Sequence, residues 1–352
     1  MERPPCRAPV GGKLWPGQIA QRAAQPQEPP WRSRMAPLLP TVALAVGCNP
    51  RCRTGRTQRG ESRSRDEKPQ ADGTGVLMLD LLLDGLPRGH MVEAFGPPQA
   101  GKTSLALAWA EGACRQGRQC FFMDLDRTLD HELAPAQMVV LEPKSAEEAV
   151  RMAEDIAKSS SSLIVIDSIA NLVPEKELAG DMKLQYSDVS RLTSIFCRKM
   201  ERFLPQSGAT ILFINHFRSQ SSFDTVSGLT CGGNALAYRS SIRLCIQQLA
   251  LLGAEEHPHG ARCHVEVLKN KVSAHLGGAD FDLVFGEGIS WEGSVLDATR
   301  KLKLPGFDGE REELVADLLK APEACDKLAE DCRESWALRC QSKTSPAKAS
   351  PS

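Results

Sequence analysis

The stretch GPPQAGKTS, residues 96–104, constrains the fold of this chain more than any other feature. It matches G-x-x-x-x-G-K-[ST], a pattern in which backbone N–H groups of a tight loop surround phosphate oxygens. An apolar run at 90–95 precedes it, and a segment with helical spacing at 104–117 follows it. This order of strand, loop and helix predicts a nucleotide-binding loop made of Gly96, Pro97, Pro98, Gln99, Ala100, Gly101, Lys102, Thr103 and Ser104.

Two residues of the loop and one acid further along predict a magnesium–nucleotide site. Lys102 is expected to reach the outer phosphates, and the Thr103 hydroxyl to ligate Mg²⁺. Asp167 ends the apolar strand SLIVID (162–167), where an acid faces the metal directly or through water. The alternative for Asp167 is a helix-capping role.

Candidates for the chemical step lie at the ends of two further apolar runs. Asp124 and Asp126 end CFFMDLD (120–126), and strand alternation puts both carboxylates on one face, within reach of a γ-phosphate. His216, in INHFR (214–218), is placed to contact the γ-phosphate. Its contact would couple the bound γ-phosphate to the conformation of the loop that follows. A solvated loop histidine is the alternative.

Nucleic-acid contacts have to come from local patches, because the net charge of the chain is −1. Arg191 and Arg198 lie on one face of a helix predicted at 188–204, and the loop 219–233 is long and rich in Ser, Thr and Gly. Lys269 and Lys271 flank Asn270 at a strand end and suit an anion, such as a nucleotide held by a neighbouring subunit. Solvated basic residues are the alternative in both places.

The pattern of elements predicts an α/β fold with a mostly parallel central sheet, an antiparallel extension and a small C-terminal helical appendage. Parallel strands are expected at 120–126, 162–167 and 209–217, antiparallel strands at 241–249, 262–270 and 280–285, and helices at 74–89, 145–160 and 188–204. The predicted organisation is an N-terminal segment (1–72), an ATPase core (73–304), a helical region (305–338) and a disordered tail (339–352).

The N-terminal segment differs in composition from the rest of the chain. Residues 1–60 carry ten Lys or Arg and only two acids, which is typical of disorder. The apolar run 35–47 is too short to span a bilayer, and an Arg- and Ser-rich stretch follows it. This order predicts an organellar targeting presequence, for a chloroplast rather than a mitochondrion. The alternatives are an untargeted disordered tail on a cytoplasmic protein and a mispredicted start codon. The 12 cysteines show no zinc spacing and indicate reduced thiols.

With these motifs in order, residues 73–303 resemble the RecA family of bacterial-type recombinases. The resemblance rests on VEAFGPPQAGKTSLAL, LIVIDSIANLVPEKEL, ILFINHFR, the GGNAL–SIRL block (232–244), VEVLKNKV and FGEGISWEG. It implies that Asp126 takes the place of a catalytic glutamate and that His216 takes that of a glutamine coupling ATP to DNA. It also implies adenine contacts at Asp130 and 286–288, contacts of Lys269 and Lys271 with a neighbour's ATP, and two DNA loops at about 178–187 and 218–233. The implied DNA-binding residues are Arg191, Ser194, Arg198, Arg218, Gly232, Gly233 and Asn234.

The chain also departs from the family pattern. Asp126 is one methylene shorter than glutamate, and Leu133 replaces an aromatic residue that would stack on adenine. A subunit-docking N-terminal helix, a hairpin after residue 304 and an acidic tail are not recognisable.

The resemblance implies a DNA-dependent ATPase that uses ATP and Mg²⁺, forms helical filaments on single-stranded DNA, and pairs it with homologous duplex DNA. The alternatives are a non-hydrolysing paralogue that assists another recombinase and a hexameric helicase-like motor. No membrane partner is expected.

Overall fold

The computed structural model describes residues 71–180, 187–217, 230–254 and 256–344. The predicted N-terminal segment, except for its last two residues, lies outside the described residues, as do Arg218 and most of both predicted DNA loops. The strands are β1 (Ala71–Asp72), β2 (Leu86–Pro87), β3 (Met91–Phe95), β4 (Cys120–Asp124), β5 (Met138–Leu141), β6 (Leu163–Asp167), β7 (Thr210–Asn215), β8 (Ile242–Ala254), β9 (His257–Asn270), β10 (Gly277–Val284) and β11 (Gly288–Ile289). The α-helices are α1 (Leu77–Leu83), α2 (Lys102–Arg115), α3 (Ala146–Ser159), α4 (Glu175–Leu178), α5 (Ser187–Ser207), α6 (Asn234–Arg239), α7 (Trp291–Lys301), α8 (Arg311–Lys320) and α9 (Pro322–Thr344).

A nine-stranded sheet, in the order β11-β10-β9-β8-β3-β7-β6-β4-β5, organises the described chain. The six strands from β8 to β5 pair in parallel, and β9, β10 and β11 extend the sheet antiparallel. The central strands are buried along their whole length, as expected for a sheet covered on both faces. This arrangement confirms the predicted fold class.

The parallel register brings the carboxyl ends of four strands to one edge of the sheet. Phe95 at the end of β3 pairs with Asn215 at the end of β7, and Asp124 at the end of β4 pairs with Asp167 at the end of β6. Open α/β sheets bind their ligands outside this edge. The phosphate loop follows β3 and therefore lies there.

The helix predicted at 145–160 is confirmed as α3. Ser145 caps its first turn by accepting a hydrogen bond from the Glu148 N–H at 3.1 Å, and Glu147 and Glu148 lie in its first turn. Its alanines, Met152 and Ile156 are buried, which is the amphipathic pattern read from the sequence.

Several elements differ from their predicted bounds. The helix predicted at 74–89 ends at Leu83, because Asp84 and Gly85 take left-handed backbone angles and Leu86–Pro87 pairs with β1. The strands β8 and β9 form one long hairpin that extends beyond the predicted 241–249 and 262–270. The edge strand β5 was not predicted. Helix α9 continues to Thr344, inside the segment 339–352 predicted as a disordered tail.

An ion-pair cluster attaches the C-terminal helices to the sheet. Arg262 on β9 donates to Asp282 at 2.8 Å and to Asp297 at 2.7 Å, and Arg311 at the start of α8 contacts the same two carboxylates. Burial alone would lower the pKa of Arg262, but its bonds to Asp297 and Asp282 outweigh burial and raise it. The cluster therefore joins β9, β10, α7 and α8.

None of the helices within the described ranges is both long enough and apolar enough to cross a bilayer.

Candidate functional site

The loop between β3 and α2 has the backbone shape that phosphate binding requires. Gln99 and Gly101 have positive φ angles of 60° and 84°, and α2 begins at the next residue, Lys102. A Cβ on Gly96 would lie 2.0 Å from the Ile246 carbonyl oxygen, so only glycine fits there. The loop therefore passes in front of the N-terminus of a 14-residue helix, where backbone N–H groups attract anions.

Lys102 is buried at the centre of this loop. Only 6% of the residue is exposed, and its Nζ donates to the Pro97 carbonyl oxygen at 2.7 Å. Burial lowers the pKa of Lys102 to about 8, although the carboxylates of Asp167 and Asp126 act in the opposite direction. The ammonium group thus lies near both acids and within the loop that would receive phosphates.

Thr103 and Asp167 are in direct contact, as their predicted shared role requires. The Thr103 Oγ1 donates to Asp167 Oδ2 at 2.6 Å, and Asp167 is 6% exposed. Burial raises the pKa of Asp167 to about 6; Asp126 adds to the rise, and the Thr103 hydrogen bond opposes it. A carboxylate is costly to bury without a positive partner, so this pair suits a cation.

The donor set fits Mg²⁺ held together with a nucleotide. In the described part of the chain, no group of three or more His, Cys, Asp or Glu side chains could hold a metal by itself. Mg²⁺ is usually bound by only one or two protein ligands, and phosphate oxygens and water complete its coordination. The Asp167 carboxylate and the Thr103 hydroxyl can supply those protein ligands.

The two acids at the end of β4 make different contacts, which corrects the prediction that strand alternation puts both on one face. The strand ends at Asp124, so strand alternation does not place Asp124 and Asp126 on one face. Asp124 is buried and accepts hydrogen bonds from the backbone N–H groups of Thr128 and Leu129, at 3.4 and 3.2 Å. Asp124 therefore stabilises the turn at 124–129. Asp126 instead bonds to Ser168, the first residue after β6.

Asp126 is held through one carboxylate oxygen. Its Oδ1 accepts from the Ser168 N–H at 3.1 Å, from the Ser168 Oγ at 3.2 Å and from the Asn171 Nδ2. Its other oxygen accepts none of these bonds. Sequence reasoning missed Asn171, because it lies on a short 3-10 turn (Ile169–Asn171) that brings it next to a residue 45 positions away.

His216 follows β7 directly and lies in the electrostatic field of the same site. Its side chain is half-buried. Burial, and then the charge of Lys102, lower the pKa of His216 below its usual range, with Asp126 opposing. The surroundings of His216 therefore disfavour its charged form.

A cavity of about 710 Å³ lies beside the helix that follows the phosphate loop. Its wall includes Ser104, Leu133 and residues 283–289, so Leu133 and the predicted 286–288 segment line the same cavity. Asp130, the other predicted adenine contact, is exposed, and its Oδ1 accepts from the Glu132 N–H at 3.0 Å. The cavity has the size of a small-molecule site, and its wall combines apolar side chains such as Leu107 with charged ones such as Glu111 and Arg115.

The predicted DNA-binding residues that are described lie on α5 and at the start of α6. Arg191 and Arg198 are exposed on α5, and Ser194 is partly buried between them. Gly232 and Gly233 both have φ angles of 80°, and a Cβ on either would come within about 3 Å of Ile169 or Ser190. Packing therefore accounts for both glycines, and Asn234 begins α6 directly after them.

Lys269 and Lys271 both reach the C-terminal end of α6. The Lys269 Nζ donates to the carbonyl oxygens of Ala237 and Tyr238, at 2.7 and 2.8 Å, and the Lys271 Nζ donates to Tyr238 at 3.5 Å. Burial, and then the charges of Lys271 and Arg243, lower the pKa of Lys269 to about 8, with Glu93 opposing. Sequence reasoning missed Glu93 as well, although an acid inside the apolar run HMVEAF was a visible signal.

Comparisons with known proteins show the family to which the chain is similar. A family model described as the RecA N-terminal domain matches residues 57–290. Protein RecA of Campylobacter jejuni subsp. doylei is 34% identical over 297 residues, covering 77% of this chain and 86% of that protein. Protein RecA of Helicobacter pylori strain P12 is 37% identical over 255 residues, covering 69% of this chain and 74% of that protein. The chain therefore belongs to the RecA family.

Proposed function

We propose that this protein is an ATP-dependent DNA recombinase, which binds single-stranded DNA and promotes homologous pairing and strand exchange in DNA repair. The observation that carries the proposal is the contact between Thr103 and Asp167 at the mouth of the phosphate loop, with Lys102, Asp126 and His216 around it. This arrangement supports phosphate chemistry in a chain of the RecA family.

The side chains around the loop divide the chemical work. The Lys102 ammonium would exchange the Pro97 carbonyl for outer phosphate oxygens, and the nucleoside would occupy the cavity beside Leu133. Thr103 and Asp167 would hold Mg²⁺, which supplies charge stabilisation at the phosphates. Asp126, oriented through its Oδ1, would position the attacking water with its other oxygen. His216 would donate a hydrogen bond from its imidazole N–H to the γ-phosphate.

DNA binding would depend on the exposed arginines of α5 and on the segment that ends at Gly232, Gly233 and Asn234, with Arg218 at its beginning. Lys269 and Lys271 would bind the ATP of the next subunit in a helical filament. ATP and DNA would each favour the same assembled state, so each raises the affinity for the other.

A second function, a paralogue that binds ATP and DNA without turnover, is favoured by two observations. Leu133 is 39% exposed at the cavity wall and offers no aromatic ring to adenine. Asp126 is short, and three hydrogen bonds hold one of its oxygens. A water held further from the γ-phosphate would attack it less often, so hydrolysis would be slow.

Phosphate release from ATP by the full chain, with and without single-stranded DNA, tests the proposal. We expect DNA to stimulate phosphate release. Lys102→Ala should reduce phosphate release by a factor of about 100 or more, because a preorganised positive charge is lost. Lys320→Ala, an exposed lysine in α8, is the matched control and should behave as the wild type. ATP binding without release would establish the paralogue instead, and normal release by Lys102→Ala would refute the site.

We also propose that the protein is located in an organelle, with a chloroplast preferred over a mitochondrion. The composition of residues 1–60 supports this location. Residues 1–72 fused to a fluorescent protein should direct it to the organelle in plant cells. A diffuse cytoplasmic signal would contradict this proposal.

A further inference from the structure

A buried carboxylate outside the phosphate chemistry links several parts of the candidate site. Glu93, in the middle of β3, has no exposed surface. Its Oε1 accepts from the Asn215 Nδ2 at 3.0 Å and from the Thr230 Oγ1 at 2.8 Å, and its Oε2 accepts from the Arg243 Nε at 2.6 Å. A charge is placed in the interior of a sheet only with such partners, because an unpaired one is very costly.

Two of these partners lie on either side of residues 218–229. Asn215 ends β7 directly before His216, and Thr230 comes directly after that segment. Cross-links between the two sides reinforce the arrangement. The Asn215 Nδ2 also donates to the Cys231 carbonyl oxygen at 3.0 Å, and the Cys231 N–H donates to the His216 carbonyl oxygen at 3.2 Å. One carboxylate thus fixes the spacing between β7, which leads to His216, and the chain where it is described again at Thr230.

The third partner extends the connection across the sheet. Glu93 is in register with Arg243 on β8, and Arg243 is in register with Lys269 on β9, so the three residues form one row. The Arg243 guanidinium also lies 4.6 Å from the Phe95 ring centroid, and that ring meets Phe217 edge-on at 5.5 Å. The row therefore joins the His216 end of the site to a lysine of the proposed subunit interface.

We propose that Glu93 is a positioning residue that couples the nucleotide site to DNA binding, by holding the residues before and after 218–229 at a fixed spacing through Asn215 and Thr230. The proposal rests on the proposed function. When His216 contacts a γ-phosphate, a movement of its backbone is transmitted to Cys231 and Thr230 through the bonds that converge on Glu93. Coupling of this kind needs a connected element that both ligands bias.

Thr230→Val tests the proposal, because it removes one hydroxyl and keeps the shape of the side chain. Thr230→Ser keeps the hydroxyl and should restore the wild-type behaviour. Thr299→Val is the matched control: Thr299 is a buried threonine in α7 whose hydroxyl donates to the Val295 carbonyl at 2.8 Å, away from the site. Glu93→Gln is the more direct change, but it leaves Arg243 without its carboxylate and endangers folding.

The measurement is the affinity for a fluorescent single-stranded oligonucleotide, with and without ATP, together with the affinity for ATP alone. We expect ATP to raise the DNA affinity of the wild type, Thr230→Ser and Thr299→Val by a factor within the usual coupling range of roughly 5–150. In Thr230→Val this factor should fall to below about 2, with an unchanged affinity for ATP. An undiminished factor in Thr230→Val, or an equal loss in Thr299→Val, overturns the inference.

Hydrogen exchange without DNA separates this inference from the proposed function. ATP should slow amide exchange in peptides covering 230–239 of the wild type and leave those peptides unchanged in Thr230→Val. If the wild type fails to bind DNA but still shows this difference, the proposed function is wrong, and what stands is the connection from the nucleotide site through Glu93 to Thr230. If ATP has the same effect on exchange in both proteins, the coupling is wrong whatever the DNA result.

Discussion

Asp126 depends on its neighbours for its orientation, and Asn171 is the neighbour that is simplest to remove. Asn171→Ala deletes one of the donors to Asp126 Oδ1 and leaves both Ser168 donors in place. We expect phosphate release to fall about tenfold, because small displacements of a catalytic group are costly in rate. Steady-state phosphate release and a separate measurement of ATP affinity check this expectation.

The affinity for ATP is the internal control, since Asn171 has no bond to the phosphate loop among its described contacts. A matched loss of affinity and rate would indicate general damage to the site. An unchanged rate would show that Ser168 alone orients Asp126.

Residues of the candidate site could be predicted where a sequence motif contains them. They could not be predicted where only the fold brings them together. Lys102, Thr103 and Asp167 follow from the loop pattern and the end of an apolar strand, and the structure places Thr103 in contact with Asp167 and Lys102 in the same loop. Asp124 was misinterpreted, because alternation along 120–126 applies only as far as the strand continues. Asn171 has no local signal, and its contact with Asp126 exists only once β4 and β6 pair.

Among the elements, burial explains which predictions are confirmed. Strands β4, β6 and β7 are continuous apolar runs with no exposed face, and this pattern identifies them in the sequence. The outer half of the β8–β9 hairpin has exposed residues on both strands, so no apolar period marks it. The edge strand β5 has four residues and only one buried side chain, too little for a pattern.

The attachment of the C-terminal helices should depend strongly on one arginine. Arg262→Ala leaves Asp282 and Asp297 with Arg311 alone, in a cluster where all four side chains are largely buried. We expect the free energy of unfolding to fall by about 3–5 kcal/mol, the usual cost of removing one partner from a buried ion pair. Urea denaturation followed by circular dichroism measures this change.

Lys320→Ala provides the comparison for that experiment. Lys320 pairs with Asp317 on the same helix, and both side chains are exposed, so its loss should cost less than about 0.5 kcal/mol. Equal effects of the two substitutions would show that the buried cluster contributes no more than a surface pair.

At the level of the whole molecule, one row of charged residues crosses three strands, from Glu93 through Arg243 to Lys269. The sequence shows these residues as separate charges in separate segments, about 150 positions apart between the first two. Sheet topology alone makes them neighbours. A conformational change at the nucleotide site and one at a subunit interface can therefore be linked through the buried row Glu93–Arg243–Lys269.

The charge of Lys269 predicts how assembly depends on pH. Its pKa in the isolated chain is lowered to about 8, first by burial. The ammonium is therefore present below pH 8 and is progressively lost above it, so binding a neighbour's phosphates at higher pH requires uptake of a proton. We expect ATP-dependent assembly, followed by light scattering and sedimentation velocity, to weaken as the pH rises through about 8 and above. Lys269→Arg, which stays charged at this position, should lose less assembly than the wild type between pH 7 and pH 9.5, and the loss that remains belongs to Lys102, whose pKa burial also lowers to about 8. Assembly of the wild type that is equally strong at pH 7 and pH 9.5 would show that the Lys269 charge does not reach the neighbour's nucleotide.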